Sequence, residues 1–101
     1  MTQSLKGEAK KFLADVPAEK VFVCRDGSIF KNVQELITGL SNMTDETFAY
    51  HSNAEKKDFS NWVKDVIGDA KLADDLLKAP NRTEAYKCVA SRTNAMKRRL
   101  I

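Results

Sequence analysis

The segments FAYH at residues 48–51 and DFSNWVKDVI at residues 58–67 decide how this chain folds. Together they contain the only tryptophan, the only histidine and two of the five phenylalanines. In the second segment, apolar side chains recur at the spacing i, i+3, i+4, i+7 and i+8, which places them on one face of a helix: Phe59, Trp62, Val63, Val66 and Ile67. Because aromatic side chains bury the most area per residue, we predict that this helix lies at the centre of the core.

Further helices are predicted on both sides of this segment. Residues 4–16 carry apolar residues from Leu5 to Val16 at helical spacing, and Pro17 is expected to close that helix. Capping residues predict the starts of four further helices: Asn32, Thr44, Asp69 and Asn81. Ser52-Asn53 is expected to cap the central helix. Gly68 is expected to end the central helix.

The final two helices have weaker signals. Leu72, Ala73, Leu76 and Leu77 form the apolar stripe of the first, which Ala79-Pro80 stops. The last helix has a narrower stripe formed by Ala85, Cys88, Val89, Met96 and Leu100. Since Arg92 interrupts that stripe, we expect the basic end to fray from about residue 94.

A β-hairpin is predicted over about residues 21–31. Val21–Cys24 and Ile29–Lys31 are apolar runs, and Asp26-Gly27 lies between them. This dipeptide is typical of a type I′ turn, in which both central residues need positive φ. The fold class predicted is therefore mainly α: one domain over residues 1–101, a compact bundle of about five to six short helices with one two-stranded hairpin.

Composition narrows the class of protein. The 101 residues carry a net charge of +3, with 43% hydrophobic and 31% charged residues, as in a single globular domain. No apolar run is long enough to cross a membrane, and the N-terminus lacks a secretory signal, so we expect a cytoplasmic protein. Because the cytoplasm is reducing, Cys24 and Cys88 are expected to be free, buried thiols, with a disulfide between them as the alternative.

The sharpest candidate for chemistry is His51 with Asp58. If the break at residues 52–53 folds the two segments together, His51 can meet Asp58 or Glu55, and either carboxylate can orient the imidazole, as in acid–base and metal sites. The alternative is a structural polar cluster of His51, Asp58 and Trp62, and we favour it because no partner nucleophile or set of convergent polar groups is evident. No spacing typical of a metal, phosphate or cofactor site is present.

The last helix supplies the only charge feature that suggests a partner. From Arg82 to Ile101 there are six basic residues and one acidic residue, Glu84. The basic residues are candidates for binding a polyanion: Arg82, Lys87, Arg92, Lys97, Arg98 and Arg99. A solvated helix end, with cations favoured by the helix dipole, is the alternative.

The central stretch resembles a family of small, mainly archaeal and bacterial helical domains of uncharacterised function. The family pattern is a hairpin with a glycine turn, a Leu-rich helix, Met-x-Asp-Glu-x-Phe-x-x-His, Lys-Asn-Asp-Phe-x-x-Trp-Val and a closing Gly-Asp. The residues that match are Met43, Asp45, Glu46, Phe48, His51, Lys56, Asp58, Phe59, Trp62, Val63, Ile67, Gly68 and Asp69. Lys57 departs from the pattern, where the family has Asn. The resemblance covers about residues 21–77 and implies a fold type, without an activity.

Together these observations predict a non-enzymatic interaction or adaptor module. We expect its partner to be another protein, with no cofactor and no membrane. Nucleic-acid binding through the basic last helix is the alternative, and catalysis by His51 with Asp58 is the third hypothesis.

Overall fold

A computed structural model describes residues 2–101, with side chains from Lys6 onwards. Within this part, six α-helices and one hairpin follow in order: α1 (Thr2–Leu13), β1 (Phe22–Val23), β2 (Ile29–Phe30), α2 (Val33–Asn42), α3 (Asp45–His51), α4 (Asp58–Trp62), α5 (Ala70–Lys78) and α6 (Arg82–Arg98). A short 3₁₀ turn at Ala18–Lys20 precedes β1. The predicted fold class, a compact mainly α bundle with one hairpin, is confirmed.

Side-chain caps start four of the helices where the sequence predicts them. Each cap oxygen accepts a hydrogen bond from the backbone N–H three residues on: Asn32 from Glu35, Thr44 from Thr47, Asp69 from Leu72 and Asn81 from Glu84. These bonds satisfy N–H groups that have no partner within the helix.

The predicted cap for α4 is wrong. The helix begins at Asp58, and neither Ser52 nor Asn53 caps it. Instead, Asn53 Oδ1 accepts hydrogen bonds from the backbone N–H groups of Glu55 and Lys56, at 2.9 and 3.0 Å. The asparagine therefore stabilises its own loop, an alternative that short polar side chains commonly offer the backbone.

The central helix also changes pitch, which the sequence does not predict. After Trp62 it continues as a π-helical turn over Val63–Ile67, closed by Gly68 at φ 88° in the predicted role. The N–H of Gly68 donates to Val63 O at 2.8 Å, five residues back. Val63 and Ile67 are buried, whereas Val66, the fourth member of the predicted stripe, is only half-buried.

The hairpin forms, but its turn is not type I′. Only Gly27 has positive φ, at 94°, and Asp26 does not. The N–H of Gly27 donates to Cys24 O at 3.0 Å, and the N–H of Cys24 donates to Ser28 O at 2.8 Å. This is a three-residue loop, a tight turn followed by a left-handed glycine. The side chain of Asp26 accepts the N–H of Ser28 at 2.8 Å, which stabilises this geometry.

The last helix is anchored along its length. Arg82 at its start donates to Leu40 O in α2, and Lys97 near its end donates to Gln34 at the start of α2, so the two helices run antiparallel. Met96 is buried and the helix continues to Arg98, while fraying from about residue 94 stays a prediction.

Some predicted core positions lie elsewhere. Cys88 is half-buried, Leu77 and Leu100 are exposed, and the side chain of Leu5 falls outside the described residues. The first helix ends at Leu13, before the predicted residue 16, and the N–H of Val16 donates to Lys31 O beside β2. Among residues 2–101, no helix combines the length and apolar character needed to cross a bilayer.

Candidate functional site

His51 connects three parts of the chain. It ends α3 and is 5% exposed. Its Nδ1 atom lies 3.0 Å from Asp58 Oδ2, at the start of α4. Its Nε2 atom accepts a hydrogen bond of 2.9 Å from the backbone N–H of Arg25, in the hairpin loop. The imidazole therefore joins the hairpin to both helices of the central segment.

These contacts determine the tautomer of His51. A backbone N–H can only donate, so Nε2 is the acceptor and carries no proton, and Nδ1 donates to Asp58. Both ring nitrogens are thus occupied by protein groups. A general base needs a nitrogen within reach of a substrate, so this geometry favours the structural interpretation of His51.

Two cations lie over the ring of Tyr50, beside His51. The guanidinium carbon of Arg25 is 4.3 Å from the ring centroid, and Lys56 Nζ is 3.9 Å from it. Lys56 Nζ also lies 3.4 Å from Asp58 Oδ2. At exposed positions such cation–π contacts contribute about 0.5–1 kcal/mol each. The Arg25 contact reinforces the attachment of the hairpin loop to α3, and the Lys56 contact holds the loop between α3 and α4 against the same ring.

Trp62, the third member of the predicted polar cluster, makes a separate contact. Its indole Nε1–H donates to Lys20 O at 2.8 Å, ahead of the hairpin. It has no hydrogen bond to His51 or Asp58. The rings of Trp62 and His51 both meet Phe22, with centroids at 5.9 and 5.1 Å. The cluster is therefore continuous through an aromatic side chain of β1.

The hairpin has one buried and one exposed face. Phe22, Cys24 and Phe30 are buried, as the alternation of a strand requires. On the other face Val23 pairs with Ile29 across the strands, and they are 65% and 58% exposed. The structure thus presents an apolar, β-branched pair to solvent on a hairpin whose loop is hydrogen-bonded to His51.

A groove of about 350 Å³ runs between β2 and α2. Its lining is mostly polar: Asp26, Ser28, Ile29, Phe30, Glu35, Thr38, Gly39 and Asn42. The ring of Phe30 lies directly against the backbone of α2, because Gly39 has no side chain there. A Cβ atom at residue 39 would lie 2.2 Å from Phe30 Cζ.

Five of the six candidate polyanion-binding residues have side-chain partners within the domain. The pairs are Arg82 with Asp45 at 2.8 Å, Lys87 with Glu84 at 3.3 Å, Arg92 with Asp69 at 2.8 Å, Lys97 with Gln34 at 3.0 Å and Arg99 with Glu8 at 3.3 Å. Arg98 has none among the described side chains. These partners lie on α1, α2, α3 and α6 itself and at the cap of α5, so the cations are spread around α6 and do not form one continuous row.

Arg92 differs from the other basic residues because its partner is buried. Asp69 is 2% exposed, and both of its carboxylate oxygens accept hydrogen bonds from Arg92, at 2.8 and 3.0 Å. These hydrogen bonds raise the pKa of Arg92 above its ordinary value. Since Asp69 also caps α5, the pair joins α5 to α6. It is a structural contact, and it occupies the Nε and Nη2 donors of Arg92.

The two cysteines are free thiols. Cys24 is buried in the hairpin, and Cys88 is half-buried on α6. Burial raises the pKa of both thiols, so the nucleophilic thiolate is disfavoured at each.

Sequence reasoning found His51 and Asp58 but missed the residues that surround the hairpin. The alternation of Val23 with the buried Phe22 and Cys24 was visible and could have identified an outward-facing position. No sequence signal pairs Arg25 with Tyr50, 25 positions away, because only the tertiary fold brings the loop to α3.

In comparisons with protein-family models, curated proteins and solved structures, no match to this chain was found. The resemblance seen in the sequence therefore stays a prediction.

Proposed function

We propose that this domain is a non-enzymatic interaction module that binds another protein through its hairpin. The observation that carries this proposal is the exposed pair of Val23 and Ile29 beside the groove between β2 and α2. The pair is apolar, yet it faces solvent on an element that several long-range contacts hold in place. Apolar side chains presented in this way contribute to binding when a partner covers them.

The alternative, nucleic-acid binding through α6, has less support. Five of its six basic side chains contact other groups of the domain, and they point to different neighbours. Tyr86 is the only aromatic residue on that helix, so it offers no series of rings on which bases could stack. The two free thiols favour a reducing compartment, and we propose that the domain acts in the cytoplasm.

The test introduces a photo-crosslinking amino acid at Ile29 in the full chain, expressed in its native cells. The matched control carries the same group at Leu77, which is 49% exposed on α5. We expect adducts with a discrete protein from position 29 and not from position 77. An excess of the unlabelled parent should suppress them, and an excess of the double variant Val23→Thr/Ile29→Thr should not.

Equal adducts from both positions, or equal competition by both proteins, would contradict the proposal. The nucleic-acid alternative is tested in parallel by fluorescence anisotropy of labelled mixed-sequence DNA and RNA. Tight binding that falls steeply between low and physiological salt would replace the protein-binding proposal with that alternative.

A further inference from the structure

The backbone of β2 has one open hydrogen-bonding position, at Ile29. The N–H of Cys24 donates to Ser28 O, so these two residues form a hydrogen-bonded pair. Because hydrogen-bonded and non-hydrogen-bonded pairs alternate along an antiparallel ladder, the next pair, Val23 and Ile29, is non-hydrogen-bonded. The N–H and C=O of Ile29 therefore point away from β1, towards the groove. Neither group has a hydrogen-bond partner among the described residues.

The next outward-facing position of β2 is closed by the domain itself, whereas Val23, on the opposite edge, is open in the same way as Ile29 but does not line the groove. Two residues along, the N–H of Lys31 donates to Glu35 Oε1 at 2.9 Å, and its C=O accepts from the N–H of Val16 at 2.8 Å. On the opposite edge, His51 accepts the N–H of Arg25. Unpaired backbone groups at a strand edge readily bind an added strand, so Ile29 is the position at which a partner strand can join.

The groove beside Ile29 has the shape and polarity to receive that strand. Its floor is the ring of Phe30 on the backbone at Gly39. Its helical wall is formed by Glu35, Thr38 and Asn42, whose spacing of three and four residues places them on one side of α2. Carboxylate, hydroxyl and amide groups therefore line the side opposite the open edge.

The groove is negatively charged, which favours a cationic ligand. Asp26 and Glu35 line it, and none of its lining residues is Lys or Arg. The hydrogen bond from the N–H of Ser28 lowers the pKa of Asp26, which keeps this carboxylate ionised at neutral pH. A cationic side chain entering the groove would meet two acceptors and no like charge.

We propose that the groove binds an extended peptide segment carrying an arginine or lysine, which adds as a strand to the outer edge of β2 at Ile29. This inference rests on the proposed function and specifies the partner: main-chain hydrogen bonds to Ile29 provide the register, and the cation facing Asp26 and Glu35 provides the selectivity.

The first experiment selects binders from a random heptapeptide display library and synthesises the best sequence with a fluorescent label. A second peptide removes the charge of its basic residue, with citrulline in place of an arginine or Nε-acetyl-lysine in place of a lysine. We expect basic residues to be enriched, and the neutral replacement to weaken binding by roughly two- to fivefold. The charge-removing double variant Asp26→Asn/Glu35→Gln should weaken binding of the parent peptide to a similar extent, since both amides keep the acceptors for Ser28 and Lys31.

Two controls separate this mechanism from its alternatives. The double variant Glu46→Gln/Asp65→Asn removes the same charge from exposed positions outside the groove and should bind as the parent does. Bound peptide should slow amide exchange at Ile29, and it should leave Val23, on the opposite edge, unchanged.

Selected peptides without a basic residue, or exchange at Ile29 that the peptide does not slow, would overturn the proposal. So would self-association of the chain that is lost on substituting Ile29, since a second copy would then occupy the edge. If crosslinking from position 29 succeeds while no heptapeptide binds, the interaction module stands and the extended-peptide proposal falls.

Discussion

Replacing His51 with alanine should destabilise the domain by about 3 kcal/mol. The bond to the N–H of Arg25 contributes about 1 kcal/mol, as does the bond to Asp58, whose side chain is 32% exposed and partly solvated. The buried ring also makes an edge-on contact with Phe22 and a tilted contact with Phe59, which together contribute a similar amount. Roughly 12 °C or more of the melting temperature should be lost, because 1 kcal/mol corresponds to about 4–8 °C in a domain of this size.

Urea unfolding, followed by the fluorescence of Trp62, measures this loss. The matched control is Asn61→Ala, an exposed substitution on α4 that should change the free energy of unfolding by less than about 0.5 kcal/mol. A His51→Ala variant as stable as this control would refute the assignment of His51 as the residue that fixes the hairpin.

Amide exchange at Arg25 tests the same assignment locally. His51→Asn keeps a donor near Asp58 but removes the acceptor at the Nε2 position, so exchange of the Arg25 N–H should accelerate while α4 stays folded. Unchanged exchange at Arg25 in this variant would show that the hydrogen bond to Nε2 does not protect the loop.

Three further substitutions or modifications test other parts of the structure. Arg92→Met should cost about 3–5 kcal/mol in urea unfolding, because it leaves the buried carboxylate of Asp69 without its partner, and a loss below 1 kcal/mol would contradict this. Gly39→Ala should gain about 1 kcal/mol of helix propensity but lose about 1–3 kcal/mol by displacing the ring of Phe30, so a variant more stable than the parent would show that the ring moves freely. Alkylation of Cys88 by iodoacetamide should reach half its maximal rate at a higher pH than alkylation of a small free thiol, since burial raises the pKa of Cys88 and only the thiolate reacts; a midpoint at or below that of the free thiol would contradict the stated direction.

Much of the fold could be read from local sequence. The caps at Asn32, Thr44 and Asn81 and the closing role of Gly68 depend on a few neighbouring residues, and each is found where predicted. The contact of His51 with Asp58 was also within reach, because only seven positions separate them. Errors arose where one side chain can form either of two local hydrogen-bond patterns. Asn53 could have capped α4, but its side chain accepts a hydrogen bond within its own loop and leaves α4 without a side-chain cap.

The candidate site depended on contacts that no local pattern records. Sequence periodicity predicted Val23 and Ile29 as strand residues and could have marked Val23 as outward-facing, but only the packing of the hairpin against α3 and α2 determines which edge is open. Likewise, the sequence marked the basic residues of α6 as candidates for binding a polyanion, but only the fold pairs Arg82 with Asp45, 37 positions away, and Arg92 with Asp69. The sequence alone determined the helices, most of their caps and the hairpin, because these follow from short-range hydrogen bonding and side-chain spacing. The tertiary structure decided which polar and apolar groups remain available to a partner, because that depends on long-range neighbours.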